Sequence, residues 1–68
     1  MVEFRVKIHE KQRLAYIPQE VVKSLGLELC LVPNFKSAVL YSKDSDLKRV
    51  IQSLEIIIAD LRLRYQDE

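Results

Sequence analysis

"AYIPQEVVKSLGLE", residues 15–28, decides how the rest of this chain is read. A strand over "LAYI" ends where Ile17 meets Pro18, because the ring pushes the preceding residue toward extended geometry. Pro18 suits the first helical position, where its missing N–H is not needed. Glu20 then falls in the first turn, where a negative charge favours the helix dipole. Val21, Val22 and Leu25 supply an apolar side at helical spacing. Gly26, the only glycine in the chain, fits the position just past the end, where a left-handed residue closes a helix. Two turns of helix do not form alone in water, since nucleation costs more than they repay. The stretch therefore predicts a plug, held by tertiary or inter-chain packing.

Before it, "EFRVKIH" alternates. Phe4, Val6 and Ile8 point one way and Arg5, Lys7 and His9 the other, which predicts a strand with one apolar and one basic face. "EKQR" is a polar connection to the second strand. After the plug, "LELCLV" and "SAVLY" read as two more strands around "PNFK", with Pro33 pre-set for the first turn position. Neither alternates cleanly: Leu29, Cys30, Leu31 and Val32 leave both faces apolar, as do Ala38, Val39, Leu40 and Tyr41. Strands apolar on both faces are covered on both faces. In a chain of 68 residues the second cover is expected to come from another subunit.

Residues 42–68 read as one helix. Ser42, Asp44 and Ser45 are candidate N-caps, and Asp46 adds charge near the start. Leu47, Ile51, Leu54, Ile58, Leu61 and Tyr65 step by four and three, a heptad seam with Ile at one core position and Leu at the other. That combination favours two parallel strands, and these six residues are the expected oligomerisation surface, the plain alternative being a helix packed on its own domain. The register spans under three heptads, which is short for a free coiled coil. Val50 and Ile57 widen the stripe, whereas Ile56 and Leu63 lie opposite it.

Composition sets the outer bounds. With 68 residues and a net charge of +1, one compact unit is the expected count. No run of about 18 uncharged apolar residues is present, so no transmembrane helix is expected. "MVEFRVKIHE" carries charge too often for a secretory signal, and the lone Cys30 can make no internal disulfide. A cytoplasmic protein is expected, with Cys30 a small buried hydrophobe. Folding a monomer of this size buries roughly 7,000 Å². A little over half of that being apolar, the gain is about 100 kcal/mol, close to the ordering cost at ~1.5 kcal/mol per residue. The balance is near zero, and self-association is the simplest remedy.

"YIPQEVVKSLGL", Tyr16 to Leu27, resembles the signature of the AbrB/MazE/SpoVT swapped-hairpin family, I-P-x-E-[VI] followed by L-G-[LI]. The order around it is also similar: a basic strand before, two strands after, over residues 4–41. The resemblance implies a mainly β fold with short α elements. Hairpins from two identical chains would interleave into one homodimeric barrel, the short helix covering its end. Residues 1–41 would be this DNA-binding domain, and 42–68 an appended amphipathic helix for oligomerisation or partner binding. The family's members are mostly DNA-binding transcription factors, or the DNA-binding half of antitoxins, contacting DNA through the first strand and the connection after it. The chain departs from the pattern at Val22, where Arg is frequent, at Leu29-Cys30, where Gly-Asp follows L-G-L, and at Leu14, where a basic or amide residue is common.

Arg5, Lys7 and His9, continued by Lys11 and Arg13, form the expected DNA surface, with Lys23 a further phosphate contact. Such a stripe binds duplex DNA by neutralising phosphates, and a two-stranded ribbon fits the major groove. The plain alternative is a solvated strand face, since Glu3 and Glu10 flank it. His9 has no second ligand at metal spacing and no nucleophile beside it. Tyr16 is expected in the core, and Asp44, Asp46, Asp60, Asp67 and Glu68 on the helix surface. No catalytic constellation and no cofactor site is recognisable. The expected protein is a nucleoid-associated regulator that partners double-stranded DNA and itself, as a dimer or tetramer. Two rivals stand beside it: an antitoxin whose C-terminal helix binds a toxin, and an oligomerisation module that binds no DNA.

Overall fold

The structure, a computed structural model, describes residues 1–67, so Glu68 and its expected surface role lie outside the described residues. Four elements follow one another: helix α1 (Gln19–Leu25), strands β1 (Leu29–Pro33) and β2 (Ala38–Ser42), and helix α2 (Leu47–Asp67). They make a small α/β arrangement. The expectation of a mainly β chain is corrected, because helices of 7 and 21 residues outweigh two strands of 5.

α1 forms where expected, displaced by one residue. Pro18 is the N-cap, with φ −54° and ψ 142°, not the first helical residue. Its carbonyl accepts from the N–H groups of Val21 and Val22 at 3.0 and 3.3 Å. An extended ψ turns the chain into the helix, and the proline, lacking an N–H, leaves no donor orphaned. Gly26 closes the other end, its N–H donating to the Val22 carbonyl at 2.8 Å. Its φ of 89° is positive as expected, but ψ of −168° places it in an extended region open only to glycine, not in the left-handed helical one.

β1 and β2 form an antiparallel hairpin in the register Leu29↔Ser42, Leu31↔Leu40, Pro33↔Ala38. Pro33 ends β1 instead of opening the turn. Asn34 opens it, donating its N–H to the Ser37 carbonyl at 2.7 Å while its Oδ1 accepts from the Phe35 N–H at 2.8 Å. Proline at the last pair costs no ladder bond, because the bonded pair Asn34–Ser37 next to it makes Pro33↔Ala38 a non-hydrogen-bonded pair, where the residue's nitrogen faces away from β2. The open end is extended by Lys43, whose N–H reaches the Glu28 carbonyl at 3.1 Å and whose ammonium reaches the Glu28 carboxylate at 3.2 Å.

α2 begins at Leu47, capped by Asp46 and not by the residues proposed from sequence. Asp46 Oδ1 accepts from the Lys48 N–H at 3.1 Å, and its carbonyl from Arg49 and Val50. Ser42 ends β2 instead, and Ser45 and Asp44 lie in the connecting turn. Val50, Leu54 and Ile57 face Leu25, Leu40 and Tyr41 across a cleft of about 260 Å³. This cleft is where the plug helix, the hairpin and the long helix meet. No helix among the described residues is long and apolar enough to cross a membrane.

The two N-terminal strands are absent as a ladder. Residues 1–8 and 15–18 carry no strand, and the only pairing between these segments is a single bridge, His9↔Leu14. A strand needs a neighbour along its length, and none is supplied within one chain. The N-terminus instead reaches α2: Arg64 hydrogen-bonds Glu3 and the Met1 carbonyl, and the Met1 ammonium lies 3.7 Å from Asp60. Arg64 Nε approaches Asp60 Oδ2 at 2.9 Å, an ionic contact off the hydrogen-bond line. Hydrogen bonding to Glu3, then the Asp60 charge, hold the Arg64 guanidinium above its ordinary value.

Among the described residues no side chain is buried, and Cys30 is half-buried. A folded chain of this mass exposes about 4,400 Å². This one exposes 6939 Å². Its radius of gyration is 13.4 Å, against about 11 Å for a compact domain of this length.

Candidate nucleic-acid interface

The bridge between His9 and Leu14 makes a hairpin tip. The His9 N–H donates to the Leu14 carbonyl at 2.7 Å, and the Arg13 N–H to the His9 carbonyl at 2.6 Å. Four residues, Glu10 to Arg13, close the turn, and Arg13 takes φ 55° to complete it. A left-handed residue costs an arginine roughly 1 kcal/mol over glycine. Arg13 therefore brings a cation to a place where turn geometry alone would favour glycine or asparagine.

The bridge fixes a register for any ladder that extends it. With His9 opposite Leu14, Lys7 stands opposite Tyr16, and both lie on the face of Arg5 and His9. Ala15 and Ile17 alternate onto the other face, with Phe4, Val6 and Ile8. Lys7, His9, Gln12, Leu14 and Tyr16 line one cleft of about 340 Å³, and Ala15 also reaches it, since residues 15–18 carry no strand to hold the alternation. Within one chain Tyr16 does not take the core role expected of it: it is 97% exposed and lines the cleft with Lys7 and His9. Gln12 is a second lining residue missed from sequence. Both were findable from the length of "EKQR", because a four-residue turn sets which residues stand opposite.

All six basic residues singled out from sequence are exposed. Lys7 and His9 are brought together in the cleft, Lys11 and Arg13 sit on the adjoining turn, and Arg5 lies one alternation further back. Lys23 is elsewhere, in the last turn of α1. Among the described residues, Arg5, Lys7, Lys11, Arg13 and Lys23 make no ion pair, whereas Lys43, Arg64 and the Met1 ammonium do. Over residues 5–13 four full cations face one carboxylate, Glu10. The chain's near-neutral total thus conceals a local excess of positive charge at the tip, four cations against Glu10. Such a patch attracts polyanions and focuses the field at a protruding point.

Compared with family models, curated proteins and solved structures, the chain matches none.

Proposed function

We propose that the chain is a DNA-binding regulator of the AbrB type, acting as a homodimer whose two N-terminal hairpins interleave into one barrel. The observation that carries this reading is the basic hairpin tip, four cations against one carboxylate, on a chain whose described residues bury no side chain by themselves. The apolar face of Phe4, Val6 and Ile8, left half-open in one chain, is what an interleaved partner would cover. Strand pairing between copies would complete the ladder that the His9–Leu14 bridge starts. Two-fold symmetry would then present the tip twice, to the two halves of a pseudo-palindromic site. In this assembly Arg5, Lys7, Lys11 and Arg13 engage phosphates or guanine edges, and His9 and Gln12 add donors at the groove.

Gel shifts across a salt series test the reading. The native chain is expected to shift duplex DNA, with affinity falling steeply as salt rises. Replacing Arg5 and Lys7 with Ala should flatten the log–log slope by about 0.9 for each phosphate contact removed. Circular dichroism should be unchanged, because both side chains are exposed. Failure of the native chain to shift DNA at low salt would sink the proposal.

A further inference from the structure

α2 has two apolar faces, and its own chain uses one of them. Val50, Leu54 and Ile57 line the cleft with Leu25, Leu40 and Tyr41. The heptad seam lies about a quarter-turn away. Along it Leu47 is 60% exposed, Ile51 57%, Ile58 46%, Leu61 53% and Tyr65 78%, while Leu54, where the two faces meet, is half-buried in the cleft. In heptad terms Ile51, Ile58 and Tyr65 hold position a, and Leu47, Leu54 and Leu61 hold position d. Position g is filled by Val50, Ile57 and Arg64, which face the body or the N-terminus, and position e by Lys48, Glu55 and Arg62.

We infer that this seam pairs with the same seam of a second copy, as a parallel two-stranded coil in register. Three observations select that occupant. Ile at a with Leu at d is a self-complementary core for two parallel helices. Charge rejects the other orientation: full antiparallel overlap sets e against e, bringing Lys48 to Arg62 of the second copy and Glu55 to Glu55. Parallel pairing sets e against g, where the stems of Glu55 and Arg62 lie over Val50 and Ile57 of the second copy without a like-charge meeting. The third observation is area. Each chain exposes roughly 2,500 Å² more than a folded chain of its size should, so two chains have about 5,000 Å² to cover, the scale of an obligate interface. Under three heptads of seam do not cover that alone, so the coil and the chain bodies hold the dimer together. Because g packs on each body, a parallel pair places the two bodies on opposite flanks at the same end of the coil. On the DNA-binding reading, that puts both basic tips at one end of the assembly; the pairing itself does not depend on that reading.

Cysteine scanning tests the pairing without DNA. In a full-length Cys30→Ser chain at micromolar concentration, Ile51→Cys should oxidise to a covalent dimer on a non-reducing gel. Gln52→Cys, on the outer side of α2, should stay single. A mixture of the Ile51→Cys and Leu61→Cys chains should give two homodimers and little mixed species, since each residue meets its own copy only in the parallel register. Ile51→Cys staying single in a helical, folded chain overturns the inference and leaves the seam to the chain itself or to another protein. A dominant mixed dimer overturns it in favour of antiparallel pairing, and equal oxidation at positions 51 and 52 in favour of random collision. A lost gel shift beside an intact 51–51 cross-link would remove the DNA reading alone.

Discussion

Gly26 and Tyr16 show how differently single residues answer to sequence. At Gly26 the conformation is extreme while the space is open: a Cβ built there meets nothing within 4 Å, yet φ is +89°. Gly26→Ala should therefore cost about 1–3 kcal/mol through backbone strain alone. The readout is a lowered chemical-denaturation midpoint at fixed chain concentration, with an unchanged denaturant slope. Gly26 was legible because only glycine tolerates that backbone, a property of the residue and its two neighbours. Tyr16 was not. Its aromatic ring beside Ile17 argued for the core, and only the register set by His9 and Leu14 turned it to the basic face. Tyr16→Ala should weaken DNA binding about tenfold while changing stability by no more than about 0.5 kcal/mol, as for an exposed side chain. A large drop in melting temperature with native affinity would return Tyr16 to a shared core.

At the scale of elements, helices and the β1–β2 hairpin were readable because their determinants are local. Hydrophobic period, a proline before α1 and a polar turn at Asn34 all act within a few residues. The ends were less readable. Asp46 caps α2, since the cap is the residue immediately before the first helical one and helical geometry begins only at Leu47. Asp46→Ala should cost about 1 kcal/mol. Amide exchange should quicken first over residues 47–50, and no change there would place the start of α2 elsewhere. At the other end of α2 the folded Arg64 guanidinium is raised above its ordinary value, so its contribution is complete below the unfolded value and is lost only as pH rises through the folded one. The expected N-terminal strands failed at this same scale, because alternation shows which faces a strand would present but cannot supply the neighbour it needs.

For the whole molecule the governing fact is a chain with regular elements and no interior. Its stability should therefore depend on concentration. A hundredfold dilution removes about 2.7 kcal/mol from a dimer held together by mass action, so the melting temperature should fall with dilution, whereas a self-sufficient monomer would melt at one temperature throughout. The sequence by itself determined that shortage, through 68 residues with apolar groups on both faces of β1 and β2 and on more than one side of α2. It also determined the positions of both helices, the hairpin turn and the run of free cations, all consequences of short-range pattern and composition. Only the tertiary structure decided that α2 turns Val50, Leu54 and Ile57 inward and leaves the other five residues of its heptad seam outside, that Tyr16 joins Lys7 and His9, and that residues 4–17 pair at one bridge alone. Those outcomes depend on which surfaces meet across long separations in the chain, and a periodic pattern that offers several apolar faces does not choose among them.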